Sequence, residues 1–326
     1  MAEREVPAAT DHPSQPTSLP AQMAASLWRY WRERTDYQTF LGAAGVLLLA
    51  SGAFHTVVFL VDGGPWDGPL SWRKPILFGF SFGITLLTLA WVLSYLPHRR
   101  RLGWLLAGVL GVAGVVEVLL ITMQRWRGVA SHFNEATAFD TAVFRSMGGL
   151  VAMVGLAIVT VTVWSFASLR AAPSMAVAIR VGLVLLVASQ LLGGAILANG
   201  LAKPDAEAVA AGSTFGAAGG IKVPHAVSLH AVQLLPALAW LLVFTAWAER
   251  RRTQVVLVAA AGYLGLFLVT VIQTFSGVPT LQLDAGVAVL MVASALALAG
   301  PFVVTMRELA RRWRGTPPPT AAPAAG

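Results

Sequence analysis

Ionisable side chains that stand within otherwise apolar stretches of the sequence include His55, Glu117, His225 and His230. Ionisable groups are costly inside a hydrocarbon layer and are candidates for function by default. Imidazole is the usual protein ligand of haem iron and a common ligand of zinc. The sequence therefore predicts a cofactor-binding set of three histidines, for a haem or a divalent metal whose identity stays open. Glu117 is the candidate catalytic group, which would handle protons.

The spacing of the histidines limits how they could act together. His225 and His230 are five residues apart, which places them about 140° apart on an ideal helix. This differs from the i, i+4 spacing that puts two metal-binding histidines on one face. His230 shares a face with Gln233 instead. Two histidines from facing helices, such as His55 and His230, would ligate a haem axially.

Glu117 has two interpretations. An isolated carboxyl in hydrocarbon would be neutral, whereas a carboxyl beside Arg145 or Arg125 would stay charged. The sequence leaves open whether Glu117 forms a structural ion pair or binds protons or a ligand.

Other polar side chains cluster at the same predicted ends of the apolar stretches. The candidate substrate-binding residues are Gln124, His132, Asn134, Arg145, Asn199 and Gln233. Three of them lie in the segment 124–140, QRWRGVASHFNEATAFD, which either covers a pocket or forms an interfacial half-helix anchored by Trp126 and Phe133. The opposite halves of the stretches are almost purely apolar. We therefore expect one outward-facing polar pocket, unbroken helices and no continuous pathway.

The elements that must position these residues follow from composition. The 326-residue chain is 56% hydrophobic and 12% charged, and a soluble domain carries about 25% charged residues. Apolar runs of about 20 residues can cross a hydrocarbon core of about 30 Å as helices. The sequence predicts an all-α polytopic membrane protein with eight transmembrane helices, near 40–62, 75–97, 103–124, 143–168, 178–199, 225–248, 254–275 and 285–306.

The flanking segments have different compositions. Residues 1–27 and 315–326 are rich in Pro and Ala and are predicted to be disordered tails. Residues 28–39 begin with Trp28, Arg29 and Trp31, which predicts an interfacial amphipathic helix.

Charge and cysteine content narrow the possible partners. The net charge is +8, and the arginines concentrate in alternate loops, which predicts cytoplasmic N- and C-termini in a bacterial plasma membrane. The basic runs are short and lack an aromatic stacking platform, so we expect no nucleic-acid partner. The absence of cysteine excludes disulfides, thiolate metal sites and cysteine nucleophiles. The partners expected are the lipid bilayer and a small-molecule or lipid ligand, and the oligomeric state is left open.

The sequence also aligns with itself. Residues 75–129 match 224–278 without a gap, and LLLAS (47–51) resembles LLVAS (185–189). The match pairs Pro75 with Pro224, Trp91 with Trp240, Arg101 with Arg250, Gln124 with Gln273 and Gly128 with Gly277. This predicts two four-helix halves of the same orientation, 40–168 and 178–306. The first copy has Ile76, Ser81 and Ile84 where the second has His225, His230 and Gln233, which suggests an asymmetric site between the halves.

Three strings resemble a family of bacterial multi-pass membrane proteins that carries no known activity: SWRKP, RGVASHFN and VPHAVSLHAVQLLP. The likeness would cover about 40–310. Haem A synthase, also eight helices in two halves, is similar in architecture only, since its paired histidines are not reproduced.

Three functions fit these observations. The first is a membrane-embedded enzyme or electron-transfer protein with a histidine-lined pocket. The second is a transporter or binding protein for a small or lipidic solute, and the third is a non-catalytic assembly factor. The apolar inner halves and the expected unbroken helices weigh against transport.

Overall fold

The computed structural model describes residues 18–203 and 211–315, and these residues are almost entirely helical. The helices are α1 (Leu19–Glu33), α2 (Asp36–Asp62), α3 (Arg73–Val92, followed by a 3₁₀ turn at Leu93–Tyr95), α4 (Arg100–Trp126), α5 (Ala138–Ser168), α6 (Pro173–Leu201), α7 (Lys222–Leu229), α8 (Ala231–Val243), α9 (Glu249–Phe275) and α10 (Ala285–Gly315). A short antiparallel hairpin pairs β1 (Thr214–Phe215) with β2 (Gly219–Gly220).

Eight of these helical stretches in the described ranges are long and apolar enough to cross a membrane. We number them as spans 1 to 8: α2, α3 with its 3₁₀ turn, α4, α5, α6, α7 with α8, α9, and α10. The protein is therefore a multi-pass integral membrane protein, as its composition predicts. Because eight spans return the chain to its starting side, α1 and the end of α10 lie at one end of the bundle. We call this end the terminal side and the opposite end the loop side.

The N-terminal helix begins earlier than predicted. Ser18 caps α1 by accepting a hydrogen bond from the backbone N–H of Ala21, and Leu19 is buried against Phe244 and Leu309 at the terminal side. Residues 19–27, expected to be disordered, are therefore helical because docking on the bundle stabilises them. The predicted 28–39 helix is also divided, since a break at 34–35 separates α1 from span 1. Residues 1–17 and 316–326, expected to be tails, lie outside the described residues.

Close packing of small residues draws neighbouring spans together. A Cβ built on Gly45 of span 1 would lie 2.9 Å from the carbonyl oxygen of Gly83 in span 2, and one on Gly182 of span 5 would lie 2.7 Å from the Cα of Val232 in span 6. Small residues permit such approaches between membrane helices. One apolar core then runs through the bundle and includes buried residues of spans 1 to 7.

Span 6 is broken, contrary to the expectation of unbroken helices. Its two helices meet at His230, where φ is −89° and ψ is 0°. The backbone N–H of Gln233 bonds to the carbonyl of His230 rather than to that of Leu229. Tyr263 of span 7 covers a second carbonyl, that of Val227, by donating its hydroxyl at 2.6 Å. The break is thus supported by polar side chains, which is how interruptions persist inside a membrane.

Candidate functional site

His55 lies in span 1 with both ring nitrogens engaged. Its Nε2 lies 3.3 Å from the indole Nε1 of Trp126, which can only donate, so Nε2 accepts. Its Nδ1 therefore carries the proton and donates to the carbonyl oxygen of Ser51 at 2.7 Å. Trp72 stacks on the same ring, with centroids 5.9 Å apart. This arrangement leaves neither nitrogen of His55 for iron or zinc.

The two arginines considered for Glu117 are occupied elsewhere. Arg125 lies over the ring of Trp72 at 3.9 Å and 3.7 Å from the carboxylate of Asp62. Arg145 forms an exposed ion pair with Glu135 at 3.5 Å. Neither guanidinium forms a hydrogen bond with the carboxyl of Glu117.

Glu117 is buried, with 1% of its surface exposed, and neither of its carboxyl oxygens has a hydrogen-bond partner among the described residues. An unpaired carboxylate in hydrocarbon is strongly disfavoured, so the carboxyl retains its proton. The structure thus favours the neutral interpretation over the ion pair.

Gln124 belongs to a separate buried network at the loop side. Its amide nitrogen donates to Asp140 Oδ1 at 2.9 Å, and Arg127 donates to the same oxygen at 2.6 Å. The hydroxyl of Thr137 donates to the other carboxylate oxygen at 2.7 Å. This network joins the end of span 3 to the start of span 4 and satisfies Asp140 without a ligand.

The segment between these spans is an irregular loop and not the half-helix considered above. Gly128, at φ 72°, ends span 3, and Phe133, at φ 55°, turns its ring onto Gly200 at the end of span 5. Asn134 is used inside the loop, because its amide nitrogen donates to the carbonyl of Ala130 at 3.0 Å and its amide oxygen accepts from the backbone of Ala136. The loop, which joins span 3 to span 4 along the chain, therefore also packs against the end of span 5 at this side of the bundle.

His132 in this loop packs against Phe78 and contacts the hydroxyl of Ser131 at 2.9 Å. Burial, with the nearby charges of Lys74 and Lys222, lowers the pKa of His132 to about 3. The imidazole is therefore neutral at physiological pH.

Asn199 has a structural role in the other loop-side connection. Its amide nitrogen donates to the carbonyls of Gly212 and Thr214, at 2.8 and 2.9 Å. These bonds hold the β1–β2 hairpin on the end of span 5.

The two histidines of span 6 lie in different environments. His225 faces span 5, where its Nδ1 lies 2.8 Å from the carbonyl oxygen of Ser189 and 3.1 Å from the hydroxyl of the same residue. His230 stands at the helix break together with Gln233, whose amide lies 3.2 Å from Thr85 Oγ1 in span 2. When the amide oxygen accepts from this hydroxyl, the amide nitrogen donates to the carbonyls of Leu229 and His230, at 3.1 and 3.0 Å.

A cavity of about 40 Å³ lies beside this group, near the middle of the bundle. It is lined by Ser81, Phe82, Thr85, Leu86, Leu89, Leu110, Val154, Ile158, Leu186, Gln190 and Leu229. A water needs roughly 10–15 Å³ of such space, so the cavity has room for about three or four. Its walls come from spans 2, 3 and 4 of the first predicted half and from spans 5 and 6 of the second. Its polar groups are two hydroxyls and an amide, and none of its lining residues is charged.

Comparison with models of known protein families, with characterised proteins and with solved structures returned no significant match. The site must therefore be interpreted from its own chemistry.

The predicted site residues do not form one pocket. His55, Gln124, Arg145 and Asn199 each belong to a different loop-side network. The proposed axial pair is also divided, since His55 contacts span 3 whereas His230 lies with Gln233 at the span 6 break. In the described ranges, no group of three or more His, Asp or Glu side chains is arranged to hold a metal ion.

Sequence reasoning missed the polar wall of the cavity. Ser81, Thr85 and Gln190 were not among the predicted site residues, yet they line the central cavity. A signal existed, because Ser81 and Thr85 are four residues apart and therefore share a helix face. Hydroxyl groups in membrane helices usually bond to their own backbone, which makes that signal weak.

Proposed function

We propose that the protein binds a small solute between two four-helix repeats and moves it across the membrane by bending span 6 at His230. The observation that carries this proposal is the central cavity, which is walled by both halves and borders the helix break. Membrane transporters built from repeats bind their substrates near the bilayer midplane, at the repeat interface and beside discontinuous helices.

The contacts between spans support the repeat. Span 1 packs mainly on spans 2 and 3, and span 3 on span 4; in the second half, span 5 packs on spans 6 and 7, and span 7 on span 8. Spans 3 and 7 both end at a glycine in the left-handed region, Gly128 at φ 72° and Gly277 at φ 71°. These two glycines are paired in the gapless sequence alignment.

The repeat also offers a reason for His225. His55 and His225 each direct Nδ1 to the carbonyl of an equivalent serine, Ser51 at 2.7 Å and Ser189 at 2.8 Å. Gly193, which stands where the first half has His55, lies directly against the imidazole of His225. The two halves thus fill the same place with imidazoles from different helices. We infer that His55 and His225 are packing residues, and that His230 alone belongs to the solute site.

The charge distribution supports cytoplasmic termini in a bacterial plasma membrane. The terminal side carries α1 with exposed Trp28 and Trp31, the basic start of span 7 and the basic end of span 8. Basic residues of short loops accumulate on the cytoplasmic side. We therefore assign the loop side to the exterior.

The lining of the cavity indicates the class of solute. Its hydroxyl and amide groups can bond to a neutral polar molecule, while the absence of charged lining residues disfavours an ion. The space of about 40 Å³ excludes large molecules in this conformation, so a solute larger than a few waters enters only when span 6 moves. Glu117 lies seven residues from Leu110, on the same face of span 3 and two turns nearer the loop side. We assign proton binding to it.

Solute flux tests the proposal. Liposomes containing the purified protein are shrunk with urea, glycerol or acetamide, and their reswelling is followed by light scattering. We expect at least one solute to enter faster than in protein-free liposomes, and Thr85→Val and Gln190→Leu to abolish the difference. Thr88→Val is the matched control, because its hydroxyl bonds only to the carbonyl of Ile84 in its own helix. The proposal fails if no solute is accelerated or if Thr85→Val and Thr88→Val behave alike.

A further inference from the structure

A second and larger space lies between spans 7 and 8 at the terminal side of the bundle. This open groove has a volume of about 390 Å³, which is within the range of ligand sites. Its walls are apolar over most of their length, and Arg251 and Gln254 stand at one end. It shares no lining residue with the central cavity.

The groove runs along the exposed side of the contact between the two spans. On the packed side they are in close contact, since a Cβ on Gly262 would overlap the backbone of Leu298. On the groove side, a Cβ on Gly300 would meet no atom within 4 Å. Pro301 interrupts the hydrogen-bond ladder of span 8 at this level. The exposed walls, which include Val258 and Leu296, face the lipid.

The polar end of the groove carries unneutralised positive charge. Arg251 is exposed and lies over the ring of Trp247 at 4.1 Å, and it forms no ion pair with a carboxylate among the described residues. The nearest acid in the sequence, Glu249, is held by Arg252 at 3.8 Å and by the backbone N–H of Ser174 at 2.7 Å. Tryptophan and arginine at the end of a span are typical of the depth of lipid headgroups.

The first half has no polar side chains at the positions that correspond to the charged end of the groove. In the gapless alignment, Leu102 and Leu105 stand where the second half has Arg251 and Gln254. The charged end is therefore a property of this groove and not of every pair of neighbouring spans.

We propose that the groove is a binding site for one anionic phospholipid. The phosphate group lies on Arg251 and Gln254, and an acyl chain lies between Val258, Leu296 and Gly300. An occupant must combine a negative head with an apolar tail, because the groove combines a cation with apolar walls. This inference does not depend on the proposed solute site.

Lipid retention on the purified full-length protein tests this site. Native mass spectrometry in a mild detergent compares phosphatidylglycerol with phosphatidylcholine of the same acyl chains. We expect the wild type to retain one phosphatidylglycerol in preference to phosphatidylcholine. Arg251→Gln should weaken retention about fivefold, the usual contribution of one basic residue near a membrane surface.

Filling the groove should remove the lipid. Gly300→Leu places a side chain in the open space and should abolish retention of phosphatidylglycerol, and Val258→Phe fills the groove from the opposite wall if the first variant fails to fold. Arg250→Gln and Gly108→Leu are matched controls, because Arg250 is exposed outside the groove and a Cβ on Gly108 meets no atom within 4 Å. Equal retention of the two lipids, or wild-type retention in both filled variants, would overturn the proposal.

Discussion

Replacing Glu117 with leucine should make the protein more stable. The carboxyl is 1% exposed and neither oxygen has a hydrogen-bond partner among the described residues. A buried polar group without a partner costs about 1–3 kcal/mol. A leucine of similar size removes that cost, and a hydrophobic change of shape in a packed core costs less than about 1.5 kcal/mol. The net expectation is a gain of about 1–2 kcal/mol.

Gln124→Leu should instead make the protein less stable. Gln124 lies seven residues from Glu117 on the same helix and is equally buried, but its amide donates to Asp140 at 2.9 Å. Removing that donor leaves part of the Asp140 network unpaired, which costs about 1–3 kcal/mol. Glu117→Gln should have a free energy of unfolding close to that of the wild type, because its amide would lack hydrogen-bond partners just as the carboxyl does.

The assay is reversible unfolding in mixed micelles, with helicity as the signal and the free energy of unfolding as the result. Infrared difference spectra between wild type and Glu117→Gln provide a second measurement, in which the carbonyl stretch of a protonated carboxyl should disappear. If Glu117→Leu lowers the free energy of unfolding as much as Gln124→Leu does, the carboxyl has a partner and the reasoning is refuted.

Three further outcomes follow from local geometry. Tyr263→Phe removes the hydroxyl that covers the Val227 carbonyl at the span 6 break, and should cost about 1–3 kcal/mol of unfolding free energy. Gly200→Ala places a Cβ against the ring of Phe133 and should lower the free energy of unfolding by about 1–3 kcal/mol through overpacking. Gly194→Ala is the control and should change it little, because its Cβ meets no atom within 4 Å. The pKa of His132 falls from 6.5 in the unfolded chain to about 3 in the folded chain. Because the unfolded state then binds the additional proton, stability should fall as the pH drops from about 6.5 towards 3. His132→Asn should flatten that part of the profile, and an unchanged profile would contradict the assignment.

The membrane architecture follows directly from composition and apolar runs, because a span has few ways to satisfy its backbone other than a helix. The eight predicted spans are confirmed. The helical start at Leu19 was missed because its stabilisation comes from distant residues, Phe244 and Leu309, which no local pattern reveals.

The break in span 6 shows a different limit. Pro236 is visible in the sequence, yet the two helices meet six residues earlier, at His230. That position depends on partners from elsewhere: Tyr263 in span 7 and Thr85 in span 2. Residue type identified His230 and Gln233 as unusual, but could not show which of the other polar residues lie beside them.

The central claim is that Gln190 faces a site between the two proposed halves that opens to water when span 6 bends, and one labelling experiment tests it most directly. The natural chain has no cysteine, so single cysteines can be introduced without competition. Gln190→Cys lines the cavity, whereas its neighbour Leu191, 72% exposed on the outside of the bundle, faces lipid at the same depth. A water-soluble thiol reagent reacts with the thiolate, so Gln190→Cys should be modified and Leu191→Cys should not. Equal rates of modification at the two positions would contradict the account.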